Sequence, residues 1–268
     1  MPQALKAGFD TYWTSFGQGP KPALMIHCSL AHSGSWGRMA RHLSGALTMT
    51  AFDMPGHGRS AAWDDRGEIQ EVTTRIAADL LDGPVHVVGH SFGATVALRL
   101  AVMHPELVQS LLLIEPVFYA VALTDQPELQ STFKDQMRGF NEAMQADDLP
   151  AAAVAFLQMW GGGADWHNLT SDEQYRLAAQ MPLVAAAEAA LYDDVGGMLS
   201  PGVMEAINVP VLLLEGSTSP QIISAINTGL AARLPRTQRA VIAGAGHMLP
   251  ITHAKQVSAE VLRFLRTF

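Results

Sequence analysis

The chain has 268 residues, a length that suits one large domain or a core domain with an insertion. Hydrophobic residues make up 49% of it and charged residues 16%, which is enough to fill a core and excludes an intrinsically disordered chain. The formal net charge of -8 provides no basic surface, so we expect neither nucleic acid nor an anionic membrane as a partner.

The chain begins without the apolar core of a signal peptide, and no apolar stretch is long enough to span a bilayer. Its single cysteine, Cys28, excludes an intrachain disulfide and is consistent with a reducing compartment. We therefore expect a cytoplasmic protein. The sequence leaves its oligomeric state open.

Short apolar runs alternate with helical patterns along most of the chain. Strands are predicted at residues 23–26, 49–52, 85–89, 110–115, 209–215 and 238–243, and helices at 36–43, 70–81, 92–103, 222–234 and 253–268. This alternation indicates an α/β fold with a mostly parallel sheet and helices on both faces. From residue 117 to 207 the pattern changes, and only helices are predicted, at 133–148, 149–160, 171–181 and 183–192.

The strand predicted at 85–89 ends in a Gly-x-Ser-x-Gly pattern formed by Gly89, Ser91 and Gly93, and a helical pattern follows at once. This strand–turn–helix context is typical of a nucleophile elbow. The glycines let Ser91 adopt a strained turn, and the helix N-terminus behind it favours developing negative charge. We predict that Ser91 is a nucleophile; the alternative is a buried serine in a tight turn.

The last predicted strand leads into a glycine-rich loop that holds His247. Gly244 and Gly246 allow this loop to fold back over the edge of the sheet. An imidazole at that place can take the proton from the Ser91 hydroxyl, and the chain order of nucleophile, acid and histidine fits such a site. We predict that His247 is the general base.

Together these motifs resemble those of the α/β-hydrolase superfamily. Further matches are the pairs at residues 26–27 and 35–36 and the Asp-Met-Pro-Gly-His-Gly-Arg-Ser segment at 53–60, so the resemblance covers almost the whole chain. It implies an α/β-hydrolase fold with a leading antiparallel hairpin near residues 10–16. It also implies a core domain, residues 1–116 and 208–268, and an inserted helical cap, residues 117–207.

The catalytic acid departs from the common pattern of this superfamily. Relatives commonly carry an aspartate after the penultimate strand, where this chain has Ser219, and a hydroxyl brings no charge to stabilise an imidazolium. Some members place the acid one strand earlier, which here is the position of Glu115. We predict Glu115 as the acid, because the carboxyl ends of parallel strands gather ligand groups. Glu215 is the alternative.

Acyl transfer also needs hydrogen-bond donors for an oxyanion. The resemblance places them at the backbone N–H groups of Ser29, after the first core strand, and of Phe92, directly after the nucleophile. Three further residues are predicted to meet the substrate: His32, Trp160 and Phe118. For the two aromatic residues, plain core packing is the alternative.

The sequence is therefore interpreted as a serine hydrolase that cleaves a small carboxylic ester or lactone through an acyl-enzyme. C–C bond hydrolysis and thioester hydrolysis use the same residues and stay open. An alternative of a different class is a non-catalytic ligand receptor or scaffold, since a fold does not fix a function. The histidines lack the spacing of zinc ligands, and no phosphate-binding motif occurs, so we expect a small-molecule substrate, no metal and no organic cofactor.

Overall fold

The computed structural model describes residues 2–163 and 165–268, and its strands form an eight-stranded sheet. In chain order the strands are β1 (Gln3–Lys6), β2 (Phe9–Phe16), β3 (Lys21–Ile26), β4 (Leu47–Phe52), β5 (Val85–His90), β6 (Val108–Ile114), β7 (Val211–Gly216) and β8 (Thr237–Ile242). Across the sheet their order is β1-β2-β4-β3-β5-β6-β7-β8. The strands β1 and β2 form an antiparallel hairpin, β2 is antiparallel to β4, and the strands from β4 to β8 are parallel.

Helices cover this sheet and fill the long connection between β6 and β7. They are α1 (Gly37–Leu43), α2 (Ile69–Asp79), α3 (Phe92–Met103), α4 (Tyr119–Asp125), α5 (Leu129–Gln145), α6 (Leu149–Trp160), α7 (Ser171–Ala179), α8 (Met181–Ala186), α9 (Glu188–Tyr192), α10 (Gln221–Arg233), α11 (Leu249–Thr252) and α12 (Ala254–Phe264). None of the described helices is both long and apolar enough to cross a membrane.

Consecutive strand residues enter two separate cores, one on each face of the sheet. In β5, Val87 belongs to the core that contains residues of α2, α3 and α10, whereas Val88 belongs to the core that contains residues of α1 and α12. Because both faces are covered, β5 is buried along its whole length. The predicted α/β class, with a mostly parallel sheet between two helical layers, is confirmed.

The carboxyl ends of the parallel strands bring the predicted site residues to one edge of the sheet. Ser91 follows β5, Glu115 follows β6, and His247 lies in the loop after β8. The strands β4 and β5 lie on opposite sides of β3, so the chain changes direction across the sheet at this point. Such a switch point opens a crevice at the carboxyl ends of the strands.

Between β6 and β7, the described residues form helices and turns but no strand. The sequence pattern predicts neither α4 nor the division of residues 183–192 into α8 and α9. At that division the Ala187 N–H donates to the Val184 carbonyl at 3.2 Å, which closes a tighter turn than an α-helix has. An ion pair between Asp125 of α4 and Arg233 of α10 joins this helical segment to the rest of the chain.

Candidate active site

Ser91 lies in a sharp turn between β5 and α3. Its backbone φ of 56° and ψ of −119° are strained for a residue with a side chain. The turn is held in place because the Ser91 N–H donates to the Ile114 carbonyl at 2.9 Å. Both neighbouring glycines are required sterically: a Cβ at Gly93 would overlap the Ile26 carbonyl oxygen, and a Cβ at Gly89 would overlap the backbone of Gly93.

A continuous chain of hydrogen bonds joins Ser91, His247 and Glu115. His247 Nε2 lies 3.0 Å from Ser91 Oγ, and His247 Nδ1 lies 3.0 Å from Glu115 Oε2. All three side chains are buried, with exposed fractions of 7% for Ser91, 5% for His247 and 0% for Glu115. In this arrangement Nδ1–H can donate to the carboxylate while Nε2 accepts from the hydroxyl, as in sites that activate a serine. The catalytic roles of the three residues stay predictions.

Besides His247, Glu115 is held by groups from the end of β7 and from the turn that follows it. Its φ of 52° lies in the left-handed region, and its N–H donates to the Leu214 carbonyl at 2.9 Å. Its Oε1 atom accepts from the Gly216 N–H and from the Ser219 hydroxyl, each at 2.6 Å. A buried carboxylate is costly unless its oxygens are hydrogen-bonded, and both oxygens of Glu115 have partners.

The alternative acid, Glu215, points away from His247. It lies inside β7, and its Oε2 atom accepts from Asn227 Nδ2 of α10 at 2.6 Å, with Arg239 Nη2 at 3.5 Å. Side chains alternate along a strand, so Glu215 shares the face of Leu213, which packs in the core that contains α10 residues. The structure therefore places Glu115, and not Glu215, beside His247.

The two predicted oxyanion donors lie at the ends of β3 and β5. Phe92 is the first residue of α3, so its N–H has no acceptor within the helix. Ser29 lies in the loop after β3, where the next amide, that of Leu30, donates to His57 Nε2 at 3.1 Å. Neither the Ser29 nor the Phe92 N–H donates to any described residue, and their role as oxyanion donors stays a prediction.

Three buried histidines near this loop hold the backbone in place through hydrogen bonds to backbone groups. His27 Nδ1 lies 2.7 Å from the Cys28 carbonyl, so Nε2 must be the acceptor for the Met54 N–H at 3.0 Å. His57 uses the same pattern, and His90 Nε2 donates to the His247 carbonyl at 2.9 Å. Burial lowers the pKa of all three imidazoles, and that of His90 to about 3. They are neutral at physiological pH.

Cys28, the free cysteine of the loop after β3, is buried next to the site. Burial raises the pKa of its thiol to about 12, so the thiol is not ionised at neutral pH. Because the thiolate is the reactive form of cysteine, Cys28 is a packing residue and not a second nucleophile.

The residues predicted to meet substrate lie in three different environments. Trp160 is buried, with its ring centroid 4.7 Å from that of His247 and the two rings edge to face. Phe118 is completely buried in the core. His32 is exposed, and its Nδ1 atom accepts from the Gly34 N–H at 3.1 Å, which caps a short 3₁₀ helix. Only Trp160 touches a member of the hydrogen-bond chain among these contacts, and the substrate-binding roles stay predictions.

A cleft of about 310 Å³ reaches His247 from the surface. It runs between the end of α6 and the loop that carries His247. Its lining residues include Gln158, Met159, Gly162, Gly163, Thr218, Pro220, Gly244, Gly246, Met248 and Thr252. Among the residues described, no group of three or more histidine, cysteine or acidic side chains is arranged to hold a metal ion.

Sequence reasoning missed two contacts of the site. It treated Ser219 only as a lost acid, although the hydroxyl binds the acid that is present. It also missed the approach of Gly162 to Met248, where a Cβ on the glycine would lie 2.9 Å from the Met248 Cβ. The run of three hydroxyl residues at 217–219 follows β7, the strand next to the one that Glu115 follows, and is a signal from which the first contact could have been proposed.

Comparison with known proteins identifies the class. Residues 23–260 match the profile of the alpha/beta hydrolase family, and the chain belongs to this family. The predicted resemblance and the predicted α/β-hydrolase fold are therefore confirmed.

Among individual proteins, the chain is similar to lipase LipV of Mycobacterium tuberculosis, with 44% identity over 108 residues. That match spans 39% of this chain and 40% of the lipase. A longer match, 24% identical over 250 residues, covers 91% of this chain and 93% of a pimeloyl-[acyl-carrier protein] methyl ester esterase from Salmonella paratyphi A. The crystal structure of the enol-lactonase from Burkholderia xenovorans LB400 superposes with a TM-score of 0.72 at 18% identity, covering 99% of this chain and all of the lactonase. At that identity the likeness shows the fold alone.

Proposed function

We propose that this protein is a serine hydrolase that cleaves a small carboxylic ester or lactone through an acyl-enzyme. The observation that carries the proposal is the hydrogen-bond chain from Ser91 Oγ through both nitrogens of His247 to Glu115 Oε2, with 3.0 Å at each step. A receptor or scaffold has no need for such a chain, whose strained elbow and buried carboxylate are costly to fold.

The geometry supports the following sequence of steps. Ser91 Oγ attacks the carbonyl carbon while its proton passes to His247 Nε2, and Glu115 stabilises the imidazolium. The N–H groups of Ser29 and Phe92 bind the oxygen that becomes negative. His247 then donates the proton to the departing alkoxide, the C–O bond breaks, and an acyl-Ser91 ester remains. Water, deprotonated by His247, attacks this ester, the bond between the acyl carbon and Ser91 Oγ breaks, and His247 returns the proton to Ser91 Oγ as the acid leaves.

Names of relatives support an ester or lactone as the substrate class. The relatives that cover this chain in part or almost completely are named as a lipase and as a methyl ester esterase. A structure with the same fold is named as an enol-lactonase. A lactone is an internal ester, so the same nucleophile, base and oxyanion donors can serve all three kinds of bond.

The proposal also assigns residues 117–207 to a helical cap and residues 1–116 and 208–268 to the core domain. It is supported by the absence of strands between β6 and β7 in the described residues. It is further supported by the contact of Trp160, at the end of α6, with His247, and by that of Gly162 with Met248. In this arrangement the cap covers part of the site, and the cleft beside it leaves a path from the surface to His247.

The test uses the variant Ser91→Ala with Ser224→Ala, an exposed serine of α10, as the matched control. Wild-type protein and the control should hydrolyse p-nitrophenyl esters of short acids and should react covalently with a fluorophosphonate probe. Ser91→Ala should lose both activities, because the nucleophile is gone, while its thermal unfolding stays close to that of the wild type. Covalent labelling of Ser91→Ala, or a wild type that neither turns over any ester or lactone nor reacts with the probe, would contradict the proposal.

A further inference from the structure

The turn that follows β7 lies between Glu115 and the loop of His247. Its first residue, Gly216, donates its N–H to Glu115 Oε1, and its last, Ser219, donates its hydroxyl to the same oxygen, each at 2.6 Å. Ser219 is half-buried, whereas Glu115 is fully buried. In the described residues, Glu115 Oε1 thus has one backbone donor, Gly216, and one side-chain donor, Ser219.

The two carboxylate oxygens have different partners. Oε1 faces the turn, and Oε2 faces His247 Nδ1 at 3.0 Å. Rotation of the carboxylate about its last bond would move Oε2 out of line with Nδ1–H. The two donors on Oε1 oppose this rotation, because a hydrogen bond to a charged group is stronger than one between neutral groups.

The same turn is bound to the loop that carries His247. Both the N–H and the hydroxyl of Thr218 donate to the Ala245 carbonyl at 2.9 Å. Gly216 packs so closely on Ala245 that a Cβ there would overlap the Ala245 carbonyl oxygen. The turn therefore fixes the histidine loop on one side and the carboxylate on the other, and it sets the distance between acid and base.

The Ser219 hydroxyl has no competing local role in the described residues. Helix α10 starts after Pro220, its N-cap residue, and the helix has no side-chain cap. The Ser219 backbone closes the turn through its N–H, which donates to the Gly216 carbonyl at 3.2 Å. Removal of the hydroxyl leaves this backbone bond in place and abolishes the hydrogen bond to Glu115.

We infer that Ser219 is a positioning residue that holds Glu115 so that Oε2 accepts the Nδ1 proton of His247. The inference rests on the proposed function, and it adds a fourth residue to the proposed site of Ser91, His247 and Glu115. Ser219 touches no reacting atom in this scheme and acts only through Glu115. Its effect should therefore disappear when Glu115 can no longer act as an acid.

The experiment is a double-mutant cycle with Ser219→Ala, Glu115→Gln and the combined variant, assayed on p-nitrophenyl acetate. Ser219→Ala should lower kcat about tenfold, as expected for loss of a hydrogen bond to a charged group, with KM unchanged. In the Glu115→Gln background the same substitution should change kcat by less than about twofold. Ser224→Ala removes an exposed hydroxyl of α10, outside both the turn and the histidine loop, so it should retain wild-type kcat.

Proton NMR of protein with ¹⁵N-labelled histidine gives a readout that needs no turnover. The downfield Nδ1 proton of His247, assigned by its loss in Glu115→Gln, should move upfield in Ser219→Ala and keep its chemical shift in Ser224→Ala. Should Ser219→Ala fail to fold, Ser219→Cys, a near-isosteric and weaker donor, should give the same changes in smaller degree. An equal loss of kcat in both backgrounds, or an unshifted proton with wild-type kcat, overturns the inference. A wild type without hydrolysis overturns the proposed function instead, and the NMR result then decides the role of Ser219 separately.

Discussion

At Glu115, a carboxylate with no exposed surface is compensated by donors from Gly216, Ser219 and His247. Its backbone also has a positive φ, as does that of Ser91 one strand away. Each of these features costs free energy of folding, roughly 1–3 kcal/mol for a strained backbone. Strain of this kind is found where the chain must aim a side chain at one point, which here is the imidazole of His247.

The substitution Glu115→Gln tests the role of the acid. Glu115→Gln keeps the side-chain oxygen that Gly216 and Ser219 bind, so the fold should be retained. The amide NH₂ then faces His247 and cannot accept the Nδ1 proton, which favours the wrong tautomer and removes the charge that stabilises imidazolium. We expect kcat to fall by up to ~10⁴, as for loss of the carboxylate in a serine triad.

The matched control for that prediction is Glu215→Gln. Glu215 is bound to Asn227 of α10, and a glutamine oxygen can accept the same hydrogen bond. Its kcat should stay within about twofold of the wild type, with any loss confined to stability, about 1 kcal/mol for a weakened hydrogen bond. Steady-state kinetics and thermal unfolding of both variants decide the matter. An inactive Glu215→Gln beside an active Glu115→Gln would reverse the assignment.

At the residue scale, the sequence predicts a functional position where the backbone conformation there requires particular residue types, such as glycine. Ser91 can be located because the turn that holds it requires glycine at positions 89 and 93, and this pattern directly follows a predicted strand. The bond from Ser219 to Glu115 joins residues 104 positions apart, and it depends on which way two side chains point. The cap that the His32 side chain forms on its own short helix is likewise a matter of local hydrogen bonding.

At the element scale, the site is made by contact between two connections. The end of α6 and the glycines after it lie against the loop between β8 and α11, with Trp160 on His247 and Gly162 on Met248. Gly162 has a φ of 60°, and Gly163 has a φ of 90°. Both glycines thus have left-handed backbones, but only Gly162 is in close contact with the histidine loop.

This difference defines the element-scale prediction. In Gly162→Ala the new Cβ would lie 2.9 Å from the Met248 Cβ. The segment after α6 and the histidine loop must therefore move apart, which weakens the contact between Trp160 and His247. We expect kcat/KM to fall about tenfold, the size of effect that a displaced catalytic group produces. Gly163→Ala has the same kind of backbone cost, about 1–2 kcal/mol, but its Cβ meets no described atom within 4 Å.

The measurement for this pair is kcat/KM together with thermal unfolding. Gly163→Ala should be destabilised with kcat/KM close to the wild-type value, and Gly162→Ala should lose both stability and activity. Equal kinetic effects of the two substitutions would mean that the contact with Met248 does not matter for turnover.

Most strands that sequence periodicity predicts are buried between two layers, whereas the edge strand β8 is only partly buried. The strands β3 to β8 alternate with helices that pack their apolar faces on the sheet, so the hydrophobic periodicity of these elements is easily recognised in the sequence. The helical segment between β6 and β7 packs partly on itself, and its short helices α4, α8 and α9 have five to seven residues. Less than two turns of helix carry too little periodicity to be separated from their neighbours.

At the scale of the whole molecule, the sheet separates two cores. Several buried histidines lie in or next to its strands, and none of their hydrogen bonds is to a carboxylate. His27, His57 and His90 surround the site, and His86 of β5 lies 2.8 Å from Ser110 Oγ through its Nδ1 atom. Burial is the main cause that lowers the pKa of each of them, to about 4 for His86 and about 3 for His90. The folded protein therefore holds neutral histidines that the unfolded chain would protonate near pH 6.5.

Because of this difference in protonation, the free energy of unfolding should depend on pH below about 6.5. Above about pH 6.5 these histidines are neutral in both states, and stability does not depend on them. As the pH falls below that value, the unfolded chain binds protons that the folded protein cannot bind. The free energy of unfolding should then decrease by about 1.4 kcal/mol per pH unit for each such histidine, down to the folded pKa values near 4 and 3.

The measurement is urea unfolding at several pH values between 7.5 and 5.5, a range above that in which most carboxylates titrate. The wild type should lose stability with a slope that exceeds one proton per molecule. His86→Gln, which removes one buried imidazole far along β5 from Ser91, should lower that slope by about one proton, because one group fewer is protonated on unfolding. His42→Gln removes an exposed imidazole and should leave the slope unchanged. A free energy of unfolding that is constant over this range would show that the buried histidines are protonated, or hydrated, in the folded protein.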